Sequence, residues 1–325
     1  MIIGSMSQPT TTSSAPSALP GAPLLDGAVR LNHWGLIHAE GADAANFLQG
    51  QLTQNVQGMA PGQARLAGFC SAKGRLQASF VLWRDEADGF WLACSVDLLA
   101  PTLKRLSMFV LRAKCRLRDA SSQVALWGLA GATAQAAVGD LAAWRGVVHA
   151  GLTTLRLPDA NGHRRALQML AADAAMPQAP VLDVAAWDWL EVHSGVVRVL
   201  AATAEHFVPQ MVNFELVGGV DFQKGCYPGQ EVVARSQYRG TLKRRAMVFA
   251  SSADLQPGQE VFHSDDPGQP AGLVALAARR PGGDSAALVE VKLAALNSGS
   301  LHAGSAEGPL LRPGTLPYAL PQDAG

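Results

Sequence analysis

The final part of this chain is cut into short pieces by proline–glycine pairs. From residue 241 to about 320 they fall at Pro257-Gly258, Pro267-Gly268, Pro281-Gly282-Gly283 and Pro313-Gly314. Proline fixes φ and removes a backbone donor, and glycine takes the conformations that reverse a chain. Turn signals recurring at this spacing favour short strands over helices. The segment 241–320 is therefore expected to form a small antiparallel β-barrel or sandwich.

Upstream the pattern is mixed. Ala44, Leu48, Leu52 and Val56 recur every four positions, which places them on one helical face over 43–56, with Asp43 as N-cap. Residues 65–70 and 75–83 read as strands joined by the turn Ser71-Ala72-Lys73-Gly74, a hairpin. A third strand is expected over 90–96, then a helix from Asp97 carrying Leu98, Leu99, Leu103, Leu106, Phe109 and Val110. Residues 114–118 are extended again. A second unit holds a strand over 124–129, a helix over 132–141, extended runs over 152–157 and 166–170, and a helix over 181–194 closed by Gly195. The fold class is α+β, with mixed α/β architecture over 22–240 in two subdomains split near 119 and 195, then a C-terminal antiparallel β-barrel. Residues 1–21, rich in Ser, Thr, Pro and Ala, are expected to be a disordered N-terminal tail.

Lys plus Arg equals Asp plus Glu, 26 each, so no general electrostatic pull toward nucleic acid or anionic membrane follows. No run of about 18 apolar residues is present, and none of the protein is expected to span a membrane. The four cysteines, Cys70, Cys94, Cys115 and Cys226, form no Cys-x-x-Cys pair. Neither a zinc site, an iron–sulfur site nor a disulfide framework can be read from their spacing. A reducing cytoplasm fits this usage.

The chemistry concentrates in Lys224-Gly225-Cys226-Tyr227-Pro228-Gly229-Gln230-Glu231, which runs on into Val232-Val233-Ala234-Arg235. A cysteine just before a helix N-terminus, with Lys224 and Arg235 nearby, favours its thiolate. Gly225 and Gly229 let backbone approach closely. Cys226 is thus a candidate nucleophile, redox sulfur or metal ligand. On spacing alone a buried small hydrophobe is an equal alternative; the density of Lys, Cys, Tyr, Gln and Glu shifts the balance toward function.

The run Lys-Gly-Cys-Tyr-x-Gly-Gln-Glu resembles the signature of the YgfZ-type folate-binding proteins, relatives of the glycine-cleavage aminomethyltransferase. The segments 47–56, 71–75 and 238–244 look like further family segments, so the resemblance spans roughly 24–320, with 119–180 undiagnostic. It implies domains of aminomethyltransferase type ringed around a central channel that binds tetrahydrofolate or a derivative. It implies a role in iron–sulfur cluster assembly or repair, since the human mitochondrial relative assists iron–sulfur protein maturation. Cys226 and Lys224 would then carry the chemistry. Tyr227, Gln230, Glu231 and Arg235 would shape the folate site, Lys73 and Arg75 would meet the folate glutamate tail, and Asn213, with Gln210 and Phe214, would line the channel. The aminomethyltransferase uses an acid in the stretch matching 73–79, but Gln77, Ala78 and Ser79 stand there. An amide, a methyl and a hydroxyl cannot replace an ionised acid beside a folate nitrogen, which argues against glycine-cleavage activity.

Two alternatives stand beside this reading. One is a folate-dependent one-carbon transferase. The other is a factor in tRNA modification or RNA binding, resting on the basic cluster Arg235, Arg239, Lys243, Arg244 and Arg245. His193 takes roughly the place of the acid that holds the pterin in the aminomethyltransferase, Glu191 lies a half-turn before it, and His206 reads as a surface residue. Expected partners are a folate and iron–sulfur client or assembly proteins, with RNA a weaker candidate.

Overall fold

The computed structural model describes residues 25–149, 152–238, 242–280 and 282–321. The expected N-terminal tail, and Arg239 of the basic cluster, lie outside them. The first two strands, β1 (Gly27–Arg30) and β2 (Trp34–Glu40), belong to different sheets. The chain therefore crosses between the two α/β units within its first described residues, which the split expected near 119 does not provide for.

Helix α1 (Ala44–Gln49) is shorter than the four-residue periodicity predicts. Leu52 and Val56 are buried as that periodicity requires, but outside a helix. Gln49 folds its side chain back to accept from the Val56 N–H at 2.6 Å, which takes the following residues out of helical register. Asp43 does not cap the helix; its carboxylate accepts from the Lys114 N–H at 2.7 Å. Next come β3 (Ala64–Cys70), β4 (Leu76–Arg84) and β5 (Phe90–Ser95), then α2 (Val96–Val110) and β6 (Arg116–Asp119). They complete an antiparallel sheet in the order β3-β4-β5-β2-β6. The nearly continuous apolar run in β4, with Phe80, Leu82 and Trp83 buried, suits an interior strand covered on both faces.

The second sheet, in the order β1-β7-β10-β9-β8, adds β7 (Val124–Ala130), β8 (Gly146–His149), β9 (Leu152–Ala160) and β10 (His163–Ala171). Helix α3 (Gly131–Val138) packs on it. Helix α4 (Val184–His193) begins where Asp183 accepts from the Ala185 N–H at 2.8 Å. Ala186, Trp187, Trp189, Leu190 and Val192 are all buried, because this helix is wedged between the second sheet and the last domain.

After α5 (Gln230–Tyr238) the proline–glycine segment closes into a six-stranded antiparallel barrel. Its strands are β11 (Arg244–Ser251), β12 (Glu260–His263), β13 (Asp266–Arg279), β14 (Ser285–Lys292), β15 (Leu301–Ala303) and β16 (Leu310–Pro313), in the order β11-β14-β13-β12-β15-β16. Phe249, Val261, Val274, Val289 and Leu301 fill it.

Candidate functional site

The motif from Lys224 to Glu231 is held against the hairpin turn that joins β3 to β4. Gly229 has φ +78°, and a Cβ there would lie 2.4 Å from the Ser71 carbonyl oxygen and 2.6 Å from Gly74 Cα. Gly74 in turn has φ +70° and would meet Val232 of α5 at 2.8 Å. Backbone rests on backbone at this contact, so glycine is required on both sides.

Lys224 does not extend toward Cys226. Its ammonium donates to the carbonyls of Gln49 and Leu52, the latter at 2.6 Å, and lies 4.9 Å from the centre of the Tyr227 ring. Burial pulls it down to about 8, with Asp221 and Cys226 acting against the shift. Its hydrogen bonds make it a staple between the motif and the segment after α1. Tyr227 is buried under this contact, and burial raises its phenol.

Helix α5 starts at Gln230, four residues past Cys226, so the thiol does not sit on a helix N-terminus. Cys226 is exposed, whereas Cys70 and Cys94 are buried and Cys115 is half-buried. Burial pushes Cys70 and Cys94 up to about 12, and Cys115 to about 11. Cys226 is thus the accessible thiol. Gln230 is half-buried. Glu231 and Arg235 are exposed and pair with each other at 3.3 Å one helical turn apart.

Three separate cavities share Trp144 in their walls. One chamber, of about 360 Å³, is bounded by Gln54, Arg65, Leu66, Trp144, Arg145 and Gly218. Another, of about 480 Å³, is bounded by Trp144, Arg156, Pro158, Ser194, Leu216 and Tyr318. A narrow recess of about 40 Å³ is lined by Trp34, Ser79, Phe80, Arg165, Glu191 and Arg198. Trp144 also borders the recess and takes φ +65°, a conformation costly for a bulky residue and concentrated at functional positions. The seam of the two sheets holds it there, its own carbonyl accepting from the Ala64 N–H at 3.0 Å and its N–H donating to Arg156 at 2.8 Å.

Arg198 donates to Glu191 at 3.0 Å and to Ser95 at 3.0 Å, and covers the Trp34 ring. Burial alone would raise the Glu191 carboxyl; Arg198, with His33 and Arg165, holds it at about 2. Arg165 is buried, stacks on Trp187 at 4.6 Å, and makes no side-chain hydrogen bond or ion pair among the described residues. Burial lowers it to about 10, still charged at neutral pH. A buried, unpartnered guanidinium beside a cavity is costly unless something fills the cavity. Sequence reasoning missed Trp144, Arg165 and Arg198, which carry no local signature.

The other sequence candidates fall outside these three cavity linings. Lys73 is exposed on the turn, and Arg75 donates to the His206 carbonyl. Asn213 is fully buried, with φ +57°. It donates to the Ala246 carbonyl at 2.8 Å and to the Tyr318 hydroxyl at 3.2 Å, and so serves as a joint to the barrel and not as cavity lining. Gln210 binds the Val233 carbonyl of α5 at 2.8 Å. On β4, Ser79 faces the recess and accepts from the Val199 N–H at 2.9 Å, while Gln77 donates to the exposed Glu205. Three of the basic cluster are paired: Arg244 with Glu290, Arg245 with Glu215, and Arg235 with Glu231.

Two five-stranded antiparallel sheets followed by a closed barrel are a fold this chain shares with an aminomethyltransferase. The glycine cleavage system aminomethyltransferase T of Bartonella henselae superposes with a TM-score of 0.69 at 17% identity, over 90% of this chain and 86% of that one. Residues 27–155 match the GCVT N-terminal domain. The chain is 32% identical over 261 residues to the tRNA-modifying protein YgfZ of Escherichia coli K12, covering 77% of each, and shows the same likeness to that of Shigella flexneri. It belongs to the YgfZ family.

Proposed function

We propose that this protein binds a reduced folate in the cavities around Trp144 and acts as an accessory factor for iron–sulfur cluster assembly or repair, with Cys226 as its working thiol. The observation that carries the folate reading is the unpartnered Arg165 guanidinium facing the recess beside Trp34, Phe80 and Trp144. A pterin fits this chemistry. It is a planar ring for the indole of Trp144, with a carbonyl edge for Arg165 to donate to, and the outer chambers have the volume small-molecule sites use. A bound tetrahydrofolate would supply one-carbon carriage. Ser79 supplies no carboxylate, and the one carboxylate lining the recess, Glu191, is already paired with Arg198 at 3.0 Å, which supports a role other than aminomethyl transfer.

Cys226, exposed on a glycine-clasped loop, suits a thiol that engages a metal or sulfur centre on another protein transiently. The name of the Escherichia coli and Shigella relatives favours tRNA modification as the process served.

Calorimetric titration with tetrahydrofolate tests the ligand. Binding is expected in the parent and is expected to weaken at least tenfold in Arg165→Gln, as loss of a charged hydrogen bond implies; equal affinity in the two would remove the assignment. Cys226→Ala is expected to fail to restore iron–sulfur enzyme activity in a deletion strain, and full restoration would overturn the thiol's role. Robust turnover of methylenetetrahydrofolate with an aminomethyl donor would make the protein a transferase instead.

A further inference from the structure

One run of unpaired basic residues lies away from the motif. Residues 98–118 contain Lys104, Arg105, Arg112, Lys114, Arg116 and Arg118 and not one carboxylate, in a chain whose charges balance overall. Lys104 and Arg105 stand on α2, Arg112 and Lys114 on the turn after it, and Arg116 on the edge strand β6. These five are exposed, and among the described residues none of them makes an ion pair. Arg118 is occupied by His38 and Gln123. The bordering acids are Asp97 and Asp119, which flank the segment and accept from the Ala201 and Ser121 N–H groups, Glu40, across the strand pair from Arg116, and Asp43, whose carboxylate is engaged by the Lys114 N–H. Among the cations stand Met108, Phe109 and Leu111, exposed by 68%, 44% and 87%.

The negative end of the α2 dipole accounts for Arg112 and Lys114. It does not account for Lys104, Arg105 and Arg116, nor for three large apolar side chains in water. Backbone phosphates met by Lys and Arg, with unpaired bases stacked on an aromatic ring, need this combination. We propose that this face of α2 and β6 docks RNA, the cations contacting phosphates and Phe109 stacking on a base. The choice of RNA rests on the tRNA-linked reading above, but the surface is separate from the folate cavities. An anionic membrane fits less well. The apolar face of α2, with Leu98, Leu99 and Leu106, is already buried in the core, so the helix cannot lie apolar side down in a lipid surface.

The test is fluorescence anisotropy of the full chain with labelled tRNA across a salt series. For contacts by five cations the log–log slope is expected near −3.5, from about 0.7 per phosphate, an affinity loss of about a hundredfold between about 50 and 200 mM salt. The triple variant K104Q/R105Q/R112Q is expected to flatten the slope by about 2 and to weaken binding at least tenfold at the low-salt end. Phe109→Ser is expected to weaken binding about tenfold with the slope unchanged. Lys243→Gln, an exposed base on another face, is expected to change nothing.

Circular dichroism and tetrahydrofolate titration of each variant separate this proposal from the folate reading. Loss of RNA binding with folate binding intact supports the surface, and absent folate binding with RNA binding intact leaves it standing. Should the triple variant misfold, Arg116→Glu alone provides the same comparison. Unchanged tRNA affinity in the folded variants, or binding to phosphatidylserine vesicles without binding to tRNA, would overturn the proposal.

Discussion

Gly229 and Lys224 show how tightly single residues fix the motif. Gly229→Ala must place a Cβ 2.4 Å from a carbonyl oxygen at φ +78°. It is expected to destabilise the fold by about 2 kcal/mol or more, read as a shifted midpoint in urea; a change below about 0.5 kcal/mol would mean the turn relaxes freely. Lys224→Met leaves the Gln49 and Leu52 carbonyls without their donor and is expected to cost about 1–3 kcal/mol. The motif itself was legible in the sequence, because its glycines and cysteine are contiguous. The work done by Lys224 was not, because its partners lie 175 and 172 residues away. Arg165 and Trp144 were illegible for a related reason. Being unpartnered, or bordering a cavity, is a property of the folded chain and leaves no mark on neighbouring residues.

Elements were legible where one local pattern governed them. The hairpin of β3 and β4, the helix α2 and the barrel follow from alternation, periodicity and turn residues. Strands β1 and β2 were not read, because their sheet partners come from β5, β6 and β7 far along the chain. The joint to the barrel was also hidden. Arg245, on β11, reaches Glu215, Asn213 and the Gln210 carbonyl, all before the motif. The sequence presents Arg245 as one of a basic cluster; the fold turns it into a buried partner for a buried acid whose carboxyl is raised by burial and held down in part by that arginine. Arg245→Met is expected to cost about 3 kcal/mol or more, since it strands the Glu215 side chain, 5% exposed, without a counter-charge. The double variant Arg245→Met, Glu215→Leu is expected to recover part of that loss in the same urea titration. Strictly additive losses would mean the pair does not act as a unit.

At the scale of the whole molecule, the two sheets are tied at the crossover between β1 and β2, where His33 meets Asp188 and Glu191 of α4 at 3.1 and 3.8 Å. Burial alone would lower the His33 imidazole, but hydrogen bonding and charge from the two carboxylates lift it to about 9 from 6.5. A group whose folded value is raised stabilises fully below its unfolded value and loses that contribution as pH rises through the folded one. Global stability should therefore fall between about pH 6.5 and 9, by about 2 kcal/mol once the 29% exposure of the side chain is allowed for. Lys224 has the opposite sign. Burial holds it near 8 against 10.5 in the open chain, so across that interval the unfolded chain binds more protons and stability rises. The alkaline limb should thus descend to about pH 8 and level off toward about pH 9, above which the thiols raised by burial add a further descent, while on the acid side stability should be lost as pH falls from 4.5 toward the value of about 2 held by Glu191. His33→Gln is expected to abolish the descent between about pH 6.5 and 9 and to lower stability at pH 6, leaving the Lys224 rise from about pH 8. Urea denaturation of parent and variant from about pH 2 to 9 reads both limbs, and an equal descent in the two proteins would show that the crossover is held by packing and not by this charge.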